Sequence, residues 1–287
     1  MKNYDFQNDF RMIRRCFGMS QDAFAQATGV SRSNIARYES GQIAPRGDAA
    51  DRIYGYAFQH GFDLNQSKTM LYEDDRGPRL ALYHGCKAEI RGEVDTRHSQ
   101  PPNDFGDGFY LGQTLNQANM WVAAAAGSST YCFYFDPKGL RKATFGIDYR
   151  WMLAILYFRG ALEGYRIEGD LADVLREVDA CDYLIAPIAD NQMYDTLDLF
   201  RNGIISDVAC LHALNANNLG LQYVMKTERA CRRLEAVDRL YLCTAEREHY
   251  LTMKRKAGDD GRSKSLLAIS QYRAQGKMFH ELFTKEG

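Results

Sequence analysis

The segment 19–41 has the pattern of two short helices joined by a tight turn. Gly29 divides it, and glycine adopts the positive φ of such a turn without steric cost. Ser20 and Ser31 stand where each helix would begin, and a serine oxygen there accepts a hydrogen bond from a first-turn amide. The apolar residues recur at the spacing of one buried helical face, namely Ala23, Phe24, Ala27, Val30, Ile35 and Tyr38. We therefore predict two crossing helices that bury a shared face.

The second predicted helix, 32–39, keeps a polar outer face. Polar and cationic side chains on such a helix reach base edges and phosphates when it lies in the major groove of DNA. The predicted DNA-contacting residues are Gln21, Arg32, Ser33, Asn34 and Arg37. Apolar residues on either side predict two more helices that close a small bundle, namely Phe10, Ile13, Phe17, Ile53, Tyr56 and Phe58.

Residues 1–62, with the run SQDAFA…TGVSRSNIARYESGQIAP, resemble the Xre-type, lambda-repressor-like family of DNA-binding domains. The resemblance implies a sequence-specific domain that binds two half-sites as a homodimer. Charge favours DNA only weakly, because residues 1–62 hold eight Lys and Arg against six Asp and Glu. A helical bundle that binds protein in place of DNA is the alternative.

The composition of the whole chain is that of a water-soluble protein with about two domains. It has 287 residues, 45% of them hydrophobic, and a formal net charge of −1, which excludes a generally basic nucleic-acid coat. Its seven cysteines form no C-x-x-C pair, which indicates buried thiols in a reducing compartment. No signal-peptide pattern and no apolar stretch of about 20 residues occurs. We expect a cytoplasmic protein that makes no membrane contact.

Short strands and longer helices are predicted after residue 78, without steady alternation. The strands are 79–83, 108–112, 131–135, 183–187 and 222–226. The helices are 115–126, 151–159, 171–178, 193–201 and 207–214. This mixture predicts an α+β fold, and no G-x-G-x-x-G follows a strand to suggest a Rossmann site. The predicted organisation is an all-α helix-turn-helix bundle at 1–62, a linker at 63–78, an α+β domain at 79–240 and a basic helical extension at 241–287.

Four motifs follow one another in the predicted α+β domain. They are YHG at 83–85, DFGDGFY at 104–110, PIAD at 187–190 and QY at 222–223. Together they resemble the ADP-ribosyltransferase superfamily, in its His-Tyr-Glu branch, and most closely an uncharacterised bacterial group there. The likeness covers residues 80–235. It implies a split antiparallel sheet and an NAD-dependent mono-ADP-ribosyltransferase, with NAD as co-substrate and a protein or nucleic acid as acceptor.

The resemblance also implies roles for single residues. His84 would hydrogen-bond a ribose hydroxyl, and the Gly85 backbone would hold the nicotinamide amide. Tyr110, next to Phe109, would stack on the nicotinamide ring. Gln222 occupies the third position of the triad, where its amide would bond the 2′-hydroxyl of the ribose.

Gln222 departs from the family pattern, which has glutamate at this position. An amide orients a hydroxyl but brings no negative charge to the oxocarbenium-like sugar that forms when the nicotinamide bond breaks. Asp190 is the first candidate for a substitute carboxylate and Glu228 the second, although Asp190 also fits the N-cap of a helix. The remaining histidines have no metal-like spacing, so no metal is predicted.

Three functions fit these observations. The first is a mono-ADP-ribosyltransferase fused to a DNA-binding domain for autoregulation or targeting, with a toxin-like enzyme as one form of it. The second is a DNA-binding transcription regulator whose non-catalytic transferase fold senses a nucleotide. The third is an interaction module that holds another protein. The sequence leaves the acceptor open among protein, DNA and RNA.

Overall fold

The computed structural model describes residues 1–99, 102–216 and 219–285. Two compact units divide the chain. The first comprises Met1–Glu93, Thr114–Asp136 and Leu234–Met253, and the second comprises Val94–Gln113, Pro137–Arg233 and Lys254–Gly287.

The helices of the described residues are α1 (Phe6–Cys16), α2 (Gln21–Thr28), α3 (Arg32–Glu39), α4 (Ala49–Gln59), α5 (Leu64–Asp75), α6 (Leu115–Val122), α7 (Tyr149–Phe158), α8 (Gly169–Ala180), α9 (Asn191–Arg201), α10 (Asp207–Asn215), α11 (Glu228–Cys231), α12 (Thr244–Tyr272) and α13 (Phe279–Leu282). The strands are β1 (Leu80–Cys86), β2 (Phe109–Gly112), β3 (Ser129–Phe135), β4 (Lys142–Thr144), β5 (Tyr183–Pro187), β6 (Leu221–Met225) and β7 (Leu234–Tyr241).

Helices α1 to α4 form the predicted bundle in the first unit. Gly29 has a φ of +65° between α2 and α3, which confirms the glycine turn. The hydroxyl oxygens of Ser20 and Ser31 accept hydrogen bonds from Ala23 N at 3.1 Å and Asn34 N at 3.3 Å. These are the two N-caps that the sequence predicts. The bundle core contains the fully buried side chains of Phe10, Ile13, Phe24, Ile35 and Ile53.

The first unit also contains the antiparallel strands β1, β3 and β7. Strand β3 pairs with β1 at Tyr83 and Cys132, and with β7 at Cys132 and Asp238. Helix α6 packs so closely on β1 that a Cβ at Gly85 would lie 2.4 Å from the carbonyl oxygen of Ala118. Real Cβ atoms essentially never approach so closely, so α6 requires glycine at this position.

The segment 63–78, expected to be a linker, instead contains α5. Its N-cap is Asp63, and Lys68 on its inner face is buried. The Lys68 ammonium lies 2.8 Å from an Asp9 carboxylate oxygen in α1 and 2.5 Å from one of Asp238 in β7. The hydroxyl of Tyr54 donates to Asp9 at 2.5 Å, and that of Tyr72 donates to Asp238 at 2.5 Å. A lysine that the sequence pattern assigns to a solvated joint thus lies buried between two carboxylates.

The second unit contains strands in the order β4-β5-β6-β2. β6 pairs antiparallel with β5 and β2, so that Gln222 lies between Ala186 and Gly112. β4 pairs with β5 in parallel. The expected antiparallel sheet therefore needs correction at β4, which enters by a crossover and not by a hairpin. Helices α7, α8 and α9 supply the core, with Trp151, Val174 and Phe200 fully buried.

Residues 241–287 are largely helical, as expected, but they are not a simple extension. Strand β7 ends at Tyr241 and α12 follows, with residues up to Met253 in the first unit and the remainder in the second. Phe279 of α13 is buried against Phe200, with ring centroids 5.4 Å apart. In the described part of the chain, no helix is both long enough and apolar enough to cross a membrane.

Candidate functional site

The loop before β2, which carries the DFGDGFY motif, is fixed through its backbone. The Tyr110 hydroxyl donates to the carbonyl oxygen of Gly106 at 2.7 Å and accepts from Phe105 N at 3.1 Å. The Lys226 ammonium donates to the carbonyl oxygens of Phe105 at 2.5 Å and Asp107 at 2.6 Å. Burial lowers the pKa of Lys226. Side chains from β2 and the end of β6 thus hold this loop in one conformation.

Asp104, at the start of that loop, lies in a buried polar cluster of the second unit and is only 5% exposed. Its Oδ1 accepts from Arg159 Nη2 at 2.7 Å and from the Tyr194 hydroxyl. Its Oδ2 accepts from Gln222 Nε2 at 2.8 Å and from Ala189 N at 3.4 Å. Arg159 Nε also donates to Oδ1, at 3.3 Å, so five hydrogen bonds converge on this side chain. Both oxygens of Asp104 are therefore engaged as acceptors inside the cluster.

The orientation of the Gln222 amide follows from its neighbours. Nε2 donates to Asp104 Oδ2 at 2.8 Å and to the Pro187 carbonyl oxygen at 3.0 Å. Both neighbours only accept, so the NH₂ group must face them. Both amide hydrogens are thereby committed, and the atom with which Gln222 can bond a ligand hydroxyl is its carbonyl Oε1. A glutamate at this position would also offer an acceptor oxygen, so Gln222 keeps this one hydrogen-bonding role of the superfamily residue.

The two carboxylates proposed from sequence have other partners. Asp190 is the N-cap of α9, and its Oδ1 accepts from Met193 N at 2.9 Å. The capping interpretation of Asp190 is thereby confirmed. Glu228 Oε1 accepts from the Thr96 amide at 3.3 Å and the Thr96 hydroxyl at 3.1 Å. Within the described residues, neither carboxylate hydrogen-bonds Gln222, whereas Asp104 does.

Tyr110 and Phe109 point to opposite faces of β2. Tyr110 packs against the core of the second unit, and burial raises the pKa of its phenol. Phe109 is fully buried, with its ring 5.3 Å from that of His98. Both aromatic rings predicted to contact NAD therefore also serve as packing groups.

His84 and Gly85 lie on β1 in the first unit, opposite Tyr131 and Thr130 of β3. His84 is half-buried. Gly85 has the packing role against α6 described above, in addition to the backbone role that the resemblance implies. Tyr110, Asp190 and Gln222 belong to the second unit.

Sequence reasoning missed Asp104, Arg159 and Tyr194. Asp104 stands in the motif that was singled out, but its partner Gln222 is 118 residues away in the chain. Arg159 closes α7 and Tyr194 lies in the first turns of α9. A buried polar cluster has no local pattern, since its members come from separate elements. One sequence signal pointed to Asp104: it is an acidic residue at the start of a glycine-rich turn, in a domain whose predicted triad has Gln222 in place of a carboxylate.

The predicted DNA-contacting face lies on α3 and the start of α2. Arg32, Ser33 and Arg37 are exposed, and Asn34 is half-buried. Arg32 also forms a surface ion pair with Asp22 at 3.1 Å. Such an exposed pair is worth little, so Arg32 can exchange Asp22 for a phosphate at small cost.

Gln21 has a structural partner behind this face. Its Nε2 donates to Glu39 Oε2 at 2.9 Å, and Arg14 donates to both Glu39 oxygens at 2.6 and 3.0 Å. Burial opposes ionisation of Glu39, but the hydrogen bonds from Arg14 and Gln21 outweigh it and lower the pKa. The network joins α1, α2 and α3. It fixes Gln21 so that its carbonyl oxygen remains for a contact.

A groove of about 400 Å³ borders α3. Its polar lining includes Ser31, Asn34 and Arg37 of the predicted set, together with Arg46 and Arg52. Arg46 and Arg52 lie beyond the helix pair and outside the set of DNA-contacting residues predicted from sequence. Three guanidinium groups in one groove concentrate positive charge locally, although the net charge of residues 1–62 is only weakly positive.

Two family models match the chain. A helix-turn-helix family model matches residues 10–53, which supports a DNA-binding domain at the N-terminus. A second model, described as protein of unknown function (DUF3990), matches residues 80–236. Because this match covers more than half of the chain, the protein belongs to the DUF3990 family. Neither a curated protein nor a solved structure matches the chain.

Proposed function

We propose that this protein is an NAD-dependent mono-ADP-ribosyltransferase whose N-terminal helices bind DNA to regulate its own expression or to direct the enzyme. The observation that carries the proposal is the contact between Asp104 and Gln222, at 2.8 Å. The motifs at 83–85 and 104–110 support it by their resemblance to the ADP-ribosyltransferase superfamily.

Asp104 supplies what glutamine lacks at the third position of the triad. Its negative charge lies one hydrogen bond from the amide, in a buried place where electrostatic interactions are strong. The bond from Nε2 to a carboxylate polarises the amide and makes Oε1 a better acceptor. The pair would thus orient the 2′-hydroxyl of a ribose and oppose the positive charge that develops on the sugar.

The bond changes in this reaction are simple to state. The bond between the nicotinamide nitrogen and C1′ of the ribose breaks, and its electron pair leaves with nicotinamide. A lone pair of the acceptor then forms the new bond to C1′, and the acceptor loses its proton to solvent. Asp104 is not assigned as the base, because its two oxygens already accept five hydrogen bonds from within the protein.

The experiment is incubation of the full chain with NAD labelled on the adenosine and with cell extract, followed by measurement of transferred label. Asp104→Asn is expected to reduce transfer about 10²–10³-fold, the usual effect of losing one electrostatic group of this kind. Asp173→Asn removes an exposed carboxylate of α8 in the same unit and is the matched control. Full transfer by Asp104→Asn would contradict the role of the pair.

A charge swap makes the test sharper. Gln222→Glu alone would place two carboxylates side by side and is expected to lose activity, even though it restores the glutamate of the superfamily pattern. The double variant Asp104→Asn/Gln222→Glu keeps one charge in the cluster and is expected to recover much of the transfer. Loss in both single variants without recovery in the double variant would indicate a packing role only.

A specific observation favours a second candidate, a DNA-binding regulator that senses a nucleotide without catalysis. The Tyr110 hydroxyl and both amide hydrogens of Gln222 are used in internal hydrogen bonds. Such a protein would bind NAD, transfer no label, and change its affinity for DNA when NAD is added. Gel-shift assays with and without NAD distinguish the two candidates.

A further inference from the structure

The second unit contains a cavity between the end of α7 and α9, and Arg159 is one of its lining residues. Its volume is about 190 Å³. This is below the roughly 300–1,000 Å³ of clefts that take drug-sized ligands, so its size suits a molecule of about ten heavy atoms. Arg159 and Tyr194 line the cavity and also bond Asp104, whereas none of the residues proposed to contact NAD lines it.

The cavity walls combine an apolar floor with a cationic rim. Ile155, Leu156 and Leu197 are buried and form part of the apolar lining. Arg159 and Arg201 bring two guanidinium groups to the rim, against one carboxylate from Asp198. Asp104 pairs with Arg159, so the charges around the cavity balance. An anion is favoured by the N–H donors of the two guanidinium groups, and the floor favours an apolar body attached to it.

Contacts with Asp104 and Tyr194 hold the Arg159 guanidinium group in one orientation. Its Nε and Nη2 groups donate to Asp104, and Nη2 also donates to the Tyr194 hydroxyl. No hydrogen bond within the described part of the chain uses Nη1. The guanidinium carbon lies 4.1 Å from the centre of the Tyr194 ring, which fixes the plane of the group. Arg159 is thus preorganised, and an anion that meets Nη1 need not order a flexible side chain.

The geometry points to a binding site in this cavity for a small organic anion with a flat apolar body, such as an aromatic carboxylate or aryl phosphate. The anionic group would lie between Arg159 Nη1 and Arg201. The apolar body would cover Leu156 and Leu197. Guanidinium forks match the planar acceptor pair of a carboxylate and the oxygens of a phosphate, which is why two arginines define this ligand class.

Calorimetry on the full chain tests the site with benzoate and phenyl phosphate as probes. At least one of these is expected to bind, and whichever binds more tightly distinguishes the carboxylate from the phosphate. Benzyl alcohol, which lacks the charge, and inorganic phosphate, which lacks the apolar body, are expected to bind at least about tenfold more weakly. Equal binding of benzyl alcohol, equal binding of inorganic phosphate, or no binding of either aromatic anion at millimolar concentration would overturn the proposal.

Two variants locate the binding. Arg201→Gln removes an exposed rim charge and is expected to weaken the aromatic anion about tenfold. Ala161→Phe places a ring in the cavity and is expected to abolish binding. Arg262→Gln removes an exposed charge on α12, outside the lining, and is the control that should bind as the wild type does. Unchanged affinity in Arg201→Gln would overturn the site even if Ala161→Phe failed to fold.

Discussion

The recognition face of α3 and the Asp104 cluster are both built from polar side chains, but they are built in opposite ways. Arg32, Ser33 and Arg37 project from a helix whose stability comes from an apolar core behind it. Asp104 and Gln222 are buried and hold one another in place. Substitution of an exposed side chain in the first region is expected to leave stability nearly unchanged. Substitution of Asp104 is expected to lower both stability and the proposed transfer activity.

The contrast explains why the two regions differ so much in what their sequences reveal. Residues 19–41 encode caps, a turn and an apolar face within one continuous segment, and each of these features is found in the structure. The cluster joins residues separated by 118 positions, and its members have ordinary local surroundings. Local patterns predict elements, but the pairing of buried polar groups depends on tertiary structure.

The largest expected effect comes from Asp104→Ala. It leaves the Arg159 charge and the Gln222 amide without their acceptor, so the free energy of unfolding should fall by about 3 kcal/mol. Denaturant unfolding measures this value, and Arg37→Ala is the comparison from the exposed face, expected within about 0.5 kcal/mol of the wild type. A loss as small for Asp104→Ala as for Arg37→Ala would remove the contrast between the two regions.

A pH effect is expected from Glu246, another buried polar group. Burial raises its pKa to about 8, and Asn65 donates to both of its oxygens at 3.0 Å. The folded state therefore keeps a proton that the unfolded state releases near pH 4.5, the ordinary value. Stability should fall by about 1.4 kcal/mol per pH unit as pH rises between these two values, and should level off above about pH 8.

Glu246→Gln removes this titration, so the slope between the two pKa values should become much shallower in the variant. Unfolding midpoints measured across this pH range give the answer. The exposed Glu248, two residues on, provides the control in Glu248→Gln. An identical pH profile in wild type and Glu246→Gln would show that the carboxylate is ionised in the folded protein.

A smaller effect is expected at Gly85. In Gly85→Ala the new Cβ would meet the Ala118 carbonyl oxygen at 2.4 Å and Val122 Cγ1 at 2.9 Å, so α6 must shift. Overpacking of this kind costs about 1–3 kcal/mol, measurable by thermal unfolding. Gly146→Ala is the control, because Gly146 also lacks a positive φ and its new Cβ would meet Asp148 Oδ2 at 3.8 Å, an ordinary contact. A variant as stable as wild type would leave the proposed nucleotide contact as the reason for glycine.

The smallest change in stability accompanies a clear change in DNA binding. Arg37→Ala should lower affinity for an operator fragment and, if the side chain meets a phosphate, reduce the slope of log affinity against log salt by about 1. Gel-shift titrations at several salt concentrations measure both quantities. Lys264→Ala on α12 is a cationic control, expected to leave the slope unchanged. No preferred fragment at any salt would count against sequence-specific binding.

The elements predicted correctly and those missed have a common explanation. Five strands and five helices after residue 78 were located to within a few residues, because aromatic and branched runs mark them. Helix α5 was read as a linker because Lys68 and its neighbours are polar, and only the carboxylates of Asp9 and Asp238 make burial of that lysine possible. Strand β7 was missed because its charged residues, among them Glu235, Asp238 and Arg239, mask its alternation.

Lys68 also bears on how such a chain can change its parts during evolution. The bundle is joined to the rest of the first unit by Lys68 on α5, which forms ion pairs with Asp9 on α1 and Asp238 on β7. A foreign DNA-binding bundle spliced in at residue 62 would arrive without Asp9, and Asp238 would then face the lysine alone. Exchange of the N-terminal bundle therefore requires coordinated substitutions at distant positions. DNA-sequence preference should accordingly evolve by substitution on α3 more readily than by recombination.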